Sequence, residues 1–136
     1  MHQAQALAEF VDRWCRALLR QERLLSLLPL MSLSLERNVS EASLLAFKQS
    51  LRATTERIGA AVARSLPRLR GRAFTDFLNV NLALVAGLVP MSRRSELQER
   101  VLSRPELAHF KIDLEEQYRR ALRAQVQGSL ADLTHR

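Results

Sequence analysis

Apolar residues recur at spacings of three and four along almost the whole chain. In the first such segment, 4–19, this spacing places five side chains on one stripe: Leu7, Phe10, Val11, Trp14 and Leu18. A stripe of this kind is typical of an amphipathic α-helix, because one helical turn takes about 3.6 residues. The 136 residues include only four glycines and four prolines, so little interrupts the pattern. We therefore predict an all-α fold, an antiparallel helical bundle of about five to six helices.

Capping residues and prolines divide the chain into its predicted helices. Ser40, Ser95 and Asp113 each precede an apolar stripe and supply a side-chain acceptor for the first turn. Ser95 and Asp113 are also followed three residues later by Gln or Glu, as in a capping box. Pro67 and Pro90 are expected to end the helices that they follow. The predicted helices are 4–19, 24–35, 41–66, 72–89, 95–103 and 113–129.

The second of these helices, 24–35, is apolar on nearly all sides. Eight of its residues are leucine or methionine, and only three serines and Pro29 interrupt them. A helix of this composition has to be covered on several sides, so we predict that it is the central buried helix of the bundle. Pro29 is expected to kink or break it, because proline lacks a backbone N–H and crowds the preceding turn.

Composition and charge limit the class of protein. The net charge of +7 is carried mainly by arginines, which are scattered along all the predicted helices except 24–35. The densest group, at 64–72, surrounds Pro67 and Gly71, and it is interpreted as a solvated loop that could also touch phosphates. The single cysteine, Cys15, cannot form an internal disulfide, and neither a secretory signal nor an apolar run long enough for a membrane span is visible. We expect a cytoplasmic protein with no membrane partner.

The sequence offers no arrangement of residues that would predict catalysis or metal binding. The three histidines, His2, His109 and His135, are far apart and have no metal-ligand spacing to a cysteine or carboxylate. Neither a glycine-rich phosphate loop nor a recognisable nucleophile motif is present. We therefore expect no enzyme activity, no metal and no cofactor.

Asn81 is the one polar residue in the middle of an otherwise apolar helix face. An unpaired buried amide costs roughly 1–3 kcal/mol, so Asn81 must bond either a neighbouring helix or a ligand in an apolar pocket. Both interpretations stay open from the sequence. Six apolar residues are candidate pocket walls, although residues of this kind, taken singly, are more often ordinary core: Phe10, Trp14, Met31, Phe47, Phe74 and Phe77.

Several short stretches together resemble the C-terminal, effector-binding half of tetracycline-repressor-type (TetR) transcription regulators. The main one is Leu-Glu-Arg-Asn-Val-Ser-Glu-Ala-Ser-Leu-Leu-Ala-Phe-Lys at 35–48. Phe-Thr-Asp-Phe-Leu at 74–78, Leu-Val-Ala-Gly-Leu at 84–88, Arg-Pro-Glu-Leu at 104–107 and Phe-Lys-Ile-Asp-Leu at 110–114 follow in the family's order. Their order and spacing carry the resemblance more than any one of them does.

The resemblance implies a domain that encloses a small apolar effector and forms a homodimer. In such regulators the last two long helices pair with those of a second subunit, and here they correspond to 72–89 and 113–129. The implied interface residues are Ala83, Gly87, Tyr118, Leu122 and Val126. The alternative is that these side chains are buried only against their own chain.

The family's DNA-reading helix-turn-helix stands ahead of this domain, and no such unit is visible in 1–136. We therefore expect a single ligand-binding and dimerisation domain, either a fragment or a truncated product, that reaches operator DNA only through that missing domain. The resemblance implies a repressor of a bacterial regulator family in which effector binding shifts the first helix and releases the operator. The main alternative is a stand-alone helical interaction module that uses its basic surface to bind an acidic partner. A membrane-surface protein fits less well, because 24–35 lacks a polar face.

Overall fold

The computed structural model describes residues 2–31 and 37–132. Within these residues the chain forms six α-helices, one 3-10 helix and no strand, which confirms the predicted all-α fold. The α-helices are α1 (His2–Leu19), α2 (Glu22–Leu30), α3 (Glu41–Ser65), α4 (Gly71–Ser92), α5 (Glu96–Leu102) and α6 (Leu114–Asp132). The 3-10 helix, Pro105–Phe110, lies between α5 and α6 and was not predicted.

The three predicted caps form. The Ser40 hydroxyl accepts a hydrogen bond from the Ser43 backbone N–H at 3.2 Å and starts α3. Ser95 and Gln98 exchange both bonds of a capping box at the start of α5. The Asp113 carboxylate accepts from the Glu116 backbone N–H at 2.8 Å and starts α6. These bonds satisfy donors that have no partner inside the helix.

The end of α4 differs from the prediction, because the helix passes through Pro90 and ends at Ser92. Pro90 stands in the last turn, where its missing N–H removes only one backbone bond. The Ser92 hydroxyl also donates to the Val89 carbonyl at 2.8 Å. At its other end α4 begins at Gly71, whose φ of 58° lies in the left-handed region that glycine adopts without a Cβ penalty.

The core lies where α1, α4 and α6 meet, and α2 packs on the outer side of α4. Each of the three helices buries the apolar side chains of one of its faces there, and Cys15 lies among them. Core members with almost no exposed surface are Val11, Cys15, Phe77, Val85, Val89, Tyr118, Leu122 and Val126. The two loop residues Leu66 and Leu69 close the end of this core beside the α3–α4 connection.

The prediction of a central buried second helix is wrong for the part that the structure describes. In α2 only Leu25 is buried, whereas Leu24, Leu27 and Leu30 are 38%, 47% and 51% exposed. The reason is that α2 packs against α4 on one side and faces solvent on the others. The helix includes Pro29 and ends at the next residue, Leu30, and the rest of the predicted segment, 32–35, lies outside the described residues.

Helix α3 approaches the core only near its C-terminal end. Val62 is its one buried residue, and the first half of its apolar stripe is exposed. The closest approach is at Gly59, where a Cβ atom would lie 2.9 Å from Cδ1 of Phe74. Gly59 therefore lets the backbone of α3 rest directly on the Phe74 ring.

We expect Gly59→Ala to lower the free energy of unfolding. The Phe74 ring is buried and cannot move aside freely, and overpacking of this kind costs about 1–3 kcal/mol, against a helix-propensity gain of about 1 kcal/mol. The matched variant is Gly128→Ala in α6, where an added Cβ meets nothing within 4 Å. Urea denaturation followed by circular dichroism compares the two. Equal or greater stability of Gly59→Ala would contradict the close contact.

Candidate functional site: a groove between α1 and α3

An apolar groove of about 470 Å³ separates α1 from α3. This volume lies within the range of about 300–1,000 Å³ that small-molecule sites usually have. The side chains that line it come only from the C-terminal two-thirds of α1, from Gln21 directly before α2, and from the second half of α3. They are Phe10, Arg13, Trp14, Ala17, Leu18, Gln21, Ile58, Ala61, Val62 and Ser65.

The groove follows from the spacing of residues on the two helices. On α1 its lining residues recur every three or four positions from Phe10 to Gln21, and on α3 they do so from Ile58 to Ser65. Small side chains stand in the middle of each stripe, Ala17 on α1 and Ala61 on α3. Two facing helices with small residues at these places leave space between them, because the larger flanking side chains keep the backbones apart.

A cluster of aromatic rings forms the inner wall of the groove. The ring of Trp14 lies 5.6 Å from that of Phe10 and 5.5 Å from that of Phe77, centroid to centroid. Phe77 also contacts Phe10 and Phe74, each at 6.2 Å. Pairs at these separations are favourable in tilted and edge-on arrangements. The rings support one another, so the wall is held in place before any ligand arrives.

A chain of hydrogen bonds leads from this wall into the core. Nε1 of Trp14 donates to the Tyr118 hydroxyl at 2.9 Å, and that hydroxyl donates to Oδ1 of Asn81 at 2.7 Å. Nδ2 of Asn81 donates to Oε1 of Gln125 at 3.2 Å, and Nε2 of Gln125 donates to the Phe77 carbonyl at 2.7 Å. The chain therefore links α1, α6 and α4 through polar groups of which Tyr118 and Asn81 are fully buried.

The hydrogen bonds of this chain account for the amide of Asn81. Its side chain is 0% exposed, and both its oxygen and its nitrogen have protein partners. The geometry therefore fits the structural interpretation of Asn81, because the amide contacts α6 and does not line the groove. Burial also raises the pKa of the Tyr118 hydroxyl well above its usual value, so that hydroxyl keeps its proton for Asn81 at any physiological pH.

The structure brings two of the seven predicted ligand residues to the groove, Phe10 and Trp14. Phe74 and Phe77 are buried behind them, next to Asn81 on α4. Met31 is half-buried just after α2, and Phe47 is 41% exposed on the first half of α3. The sequence analysis missed Ala17, Ala61 and the polar residues at the rim. Alanines in the middle of two apolar stripes were the signal that could have indicated them.

The residues predicted for a dimer interface fall into two groups. Ala83 and Gly87 are exposed on α4, and an added Cβ at Gly87 would meet nothing within 4 Å. Tyr118, Leu122 and Val126 are 0% exposed. These three side chains are packed in the core of their own chain, so they have no surface to offer a second subunit. The geometry of these three residues fits the alternative interpretation, in which they are buried against their own chain.

A different set of α4 and α6 residues is exposed. On α4, Val80 and Met91 are 57% and 63% exposed on the same face as Ala83 and Gly87. On α6, Ala124 and Gly128 are exposed one turn apart, opposite to the buried stripe. From 77 to 92 the sequence of α4 contains no charged residue. On α4 this leaves an uncharged surface of small and apolar residues facing outward, whereas on α6 the two small residues lie near exposed charges, with Arg120 one turn before Ala124.

The same lack of charge makes α4 the one described helix long and apolar enough to cross a membrane. That result depends on length and composition alone, and helices of soluble proteins also meet it. Among residues 2–31 and 37–132, no group of three or more histidine, cysteine, aspartate or glutamate side chains is placed to hold a metal ion.

Comparison with known proteins gives a family match over nearly the whole chain. The family described as "Tetracyclin repressor-like, C-terminal domain" matches residues 1–132. No curated protein and no solved structure matches the chain. The match includes α1, α3, α4 and α6, and hence both the groove and the outward face of α4 and α6. The chain belongs to the tetracycline-repressor-like C-terminal domain family.

Proposed function

We propose that this domain senses a small apolar effector in the groove between α1 and α3. The observation that supports this site is the groove itself, a space of about 470 Å³ with apolar walls and few polar groups. The domain family is a regulatory one and not a family of enzymes. The effector would then be bound and not transformed, as an apolar groove with a preformed aromatic wall suggests.

We further propose that two copies of the domain pair through the outward faces of α4 and α6. A face with exposed Val80 and Met91 and no charge over 77–92 is costly to leave in water. Ala83, Gly87, Ala124 and Gly128 would let the helices of two subunits approach closely. This proposal keeps the predicted helices and replaces three predicted interface residues, since Tyr118, Leu122 and Val126 are fully buried.

The two proposed sites are close enough to be coupled. Trp14 lines the groove, and its hydrogen bond to Tyr118 ties α1 to α6. A second tie is the ion pair between Arg119 on α6 and Asp12 on α1, with Nη1 and Oδ1 2.9 Å apart. An effector that moves Trp14 would disturb contacts with a helix of the dimer face. In a cytoplasmic repressor that carries a helix-turn-helix ahead of this domain, that shift would release operator DNA.

Filling the groove is expected to weaken binding of an uncharged apolar probe. In Ala61→Phe a ring replaces the small side chain in the middle of the groove, so N-phenyl-1-naphthylamine should bind at least roughly 10-fold more weakly than to the wild type, since binding needs that volume. The measurement is a fluorescence titration of the probe. The control is Ala53→Phe, which puts the same ring on an exposed part of α3 outside the groove.

Equal binding by Ala61→Phe and Ala53→Phe would show that the probe binds elsewhere. Absence of binding to the wild type, together with salt-sensitive binding to an acidic protein, would favour the alternative of a basic interaction module.

A further inference from the structure

One charged side chain stands at the rim of the groove. Arg13 is the only ionisable residue among those that line it, and it makes no ion pair with any of the described residues. Its neighbour Asp12 is already paired, with one oxygen bonded to Arg16 and the other to Arg119. The next acid on α1, Glu9, accepts a hydrogen bond from Gln5 at 3.2 Å. The guanidinium of Arg13 is therefore left with its donors available.

The polar residues of the groove are few, and most of its lining is apolar. Arg13 is exposed on the solvent side of the α1 stripe, while Trp14 and Leu18 on the same helix face the space between α1 and α3. Gln21, in the connection between α1 and α2, and Ser65, at the end of α3, complete the polar lining. No carboxylate lies among the lining residues, all of which belong to the described part of the chain. A bound molecule thus meets apolar walls and a single positive charge.

We infer that the effector is an apolar organic acid, whose hydrocarbon body lies between α1 and α3 and whose carboxylate is bound by Arg13. This inference rests on the proposed function of the groove and names the chemical class of its ligand. Arginine binds carboxylates through paired N–H donors, which gives both orientation and affinity. The protein's net charge of +7 also favours the approach of an anion over that of a cation.

The position of Arg13 at an exposed rim agrees with this ligand. A carboxylate held there keeps part of its hydration, so the complex avoids the large cost of placing a charge in an apolar interior. For the same reason the charge adds a moderate gain in affinity, and the hydrocarbon supplies the rest. We expect a factor of roughly 10, the low end for a hydrogen-bonded charge.

A matched pair of ligands and a matched pair of variants test the inference. Octanoate and octan-1-ol have the same chain length and differ in charge. The chain contains one tryptophan, Trp14, which lines the groove, so its fluorescence reports binding at this site. Arg13→Gln removes the charge at the rim. Arg20→Gln removes an exposed arginine of the same segment that does not line the groove.

Wild-type protein should bind octanoate roughly 10-fold more tightly than octan-1-ol. Arg13→Gln should remove this preference by weakening octanoate alone, and Arg20→Gln should keep it. Equal affinity of the wild type for the two compounds, or an equal effect of both variants on octanoate, would overturn the inference while leaving an apolar effector site in place. If the wild type shows no fluorescence change with octanoate, with octan-1-ol or with the naphthylamine probe, the proposed function fails as well.

Discussion

Asn81→Leu is expected to lower the free energy of unfolding by about 2–4 kcal/mol, because one buried and one half-buried polar group lose their partner at once. The Tyr118 hydroxyl would lose its acceptor, and Oε1 of Gln125 would lose its donor. Leucine has the same number of side-chain heavy atoms and the same branch point as asparagine but is bulkier, so the loss would report the unpaired polar groups together with crowding by two methyl groups. Urea denaturation followed by circular dichroism measures it.

The control is Asn79→Leu, two residues earlier on α4 and exposed to solvent. The same chemical change at this site should alter stability by less than about 0.5 kcal/mol. A loss for Asn81→Leu no greater than that of the control would mean that the hydrogen-bond chain contributes little. It would then also weaken the proposed link between the groove and α6.

The helical architecture could be predicted well because its causes are local. The stripe from Phe10 to Leu18 and the caps at Ser40, Ser95 and Asp113 act within one or two turns of the chain. Each of them forms as the spacing predicts. The 3-10 helix at Pro105–Phe110 was missed, since a short tight turn needs no apolar stripe and leaves no periodic signal.

Burial could be predicted less well, because the apolar character of a side chain does not determine how many neighbouring residues cover it. The leucines of α2 are as apolar as those of the core, yet only Leu25 is buried. The reason is that α2 is covered on the side that packs against α4 and is open to solvent on the others. On α6 the same limit led to the opposite error, because residues of the chain's own core were predicted to lie at a subunit interface. The stripe Tyr118, Leu122 and Val126 was assigned to a partner subunit, whereas α1 and α4 of the same chain cover it completely.

The candidate site depended on residues that are far apart in sequence. Asn81 could be identified as a polar residue on an apolar face, but its partners Tyr118 and Gln125 lie 37 and 44 residues away. Their spacing to Asn81 carries no periodic signal, so the sequence left both interpretations open. The groove likewise exists only because α1 and α3 come together, and neither stripe alone predicts the gap between Ala17 and Ala61.

The proposed dimer predicts that Gly87→Arg converts the protein from dimer to monomer without unfolding it. An added Cβ at Gly87 meets no other part of its own chain within 4 Å and the position is exposed, so the fold has room for a longer side chain there. In a dimer through α4 and α6 the same side chain would face the partner and place one arginine from each subunit in an uncharged interface. Like charges at an interface cost several kcal/mol, so the dissociation constant should rise by at least roughly 100-fold.

Sedimentation equilibrium measures the association, and circular dichroism checks that the helices remain. Gly87→Arg should itself favour the isolated helix by up to about 1 kcal/mol, because arginine is a better helix former than glycine. The control is Ala53→Arg on the exposed side of α3, which adds the same charge far from the proposed interface and should leave the dimer intact. A wild-type monomer, or a Gly87→Arg variant that associates as strongly as the control, would contradict pairing through this face. The apolar stretch 77–92 would then need a different covering partner.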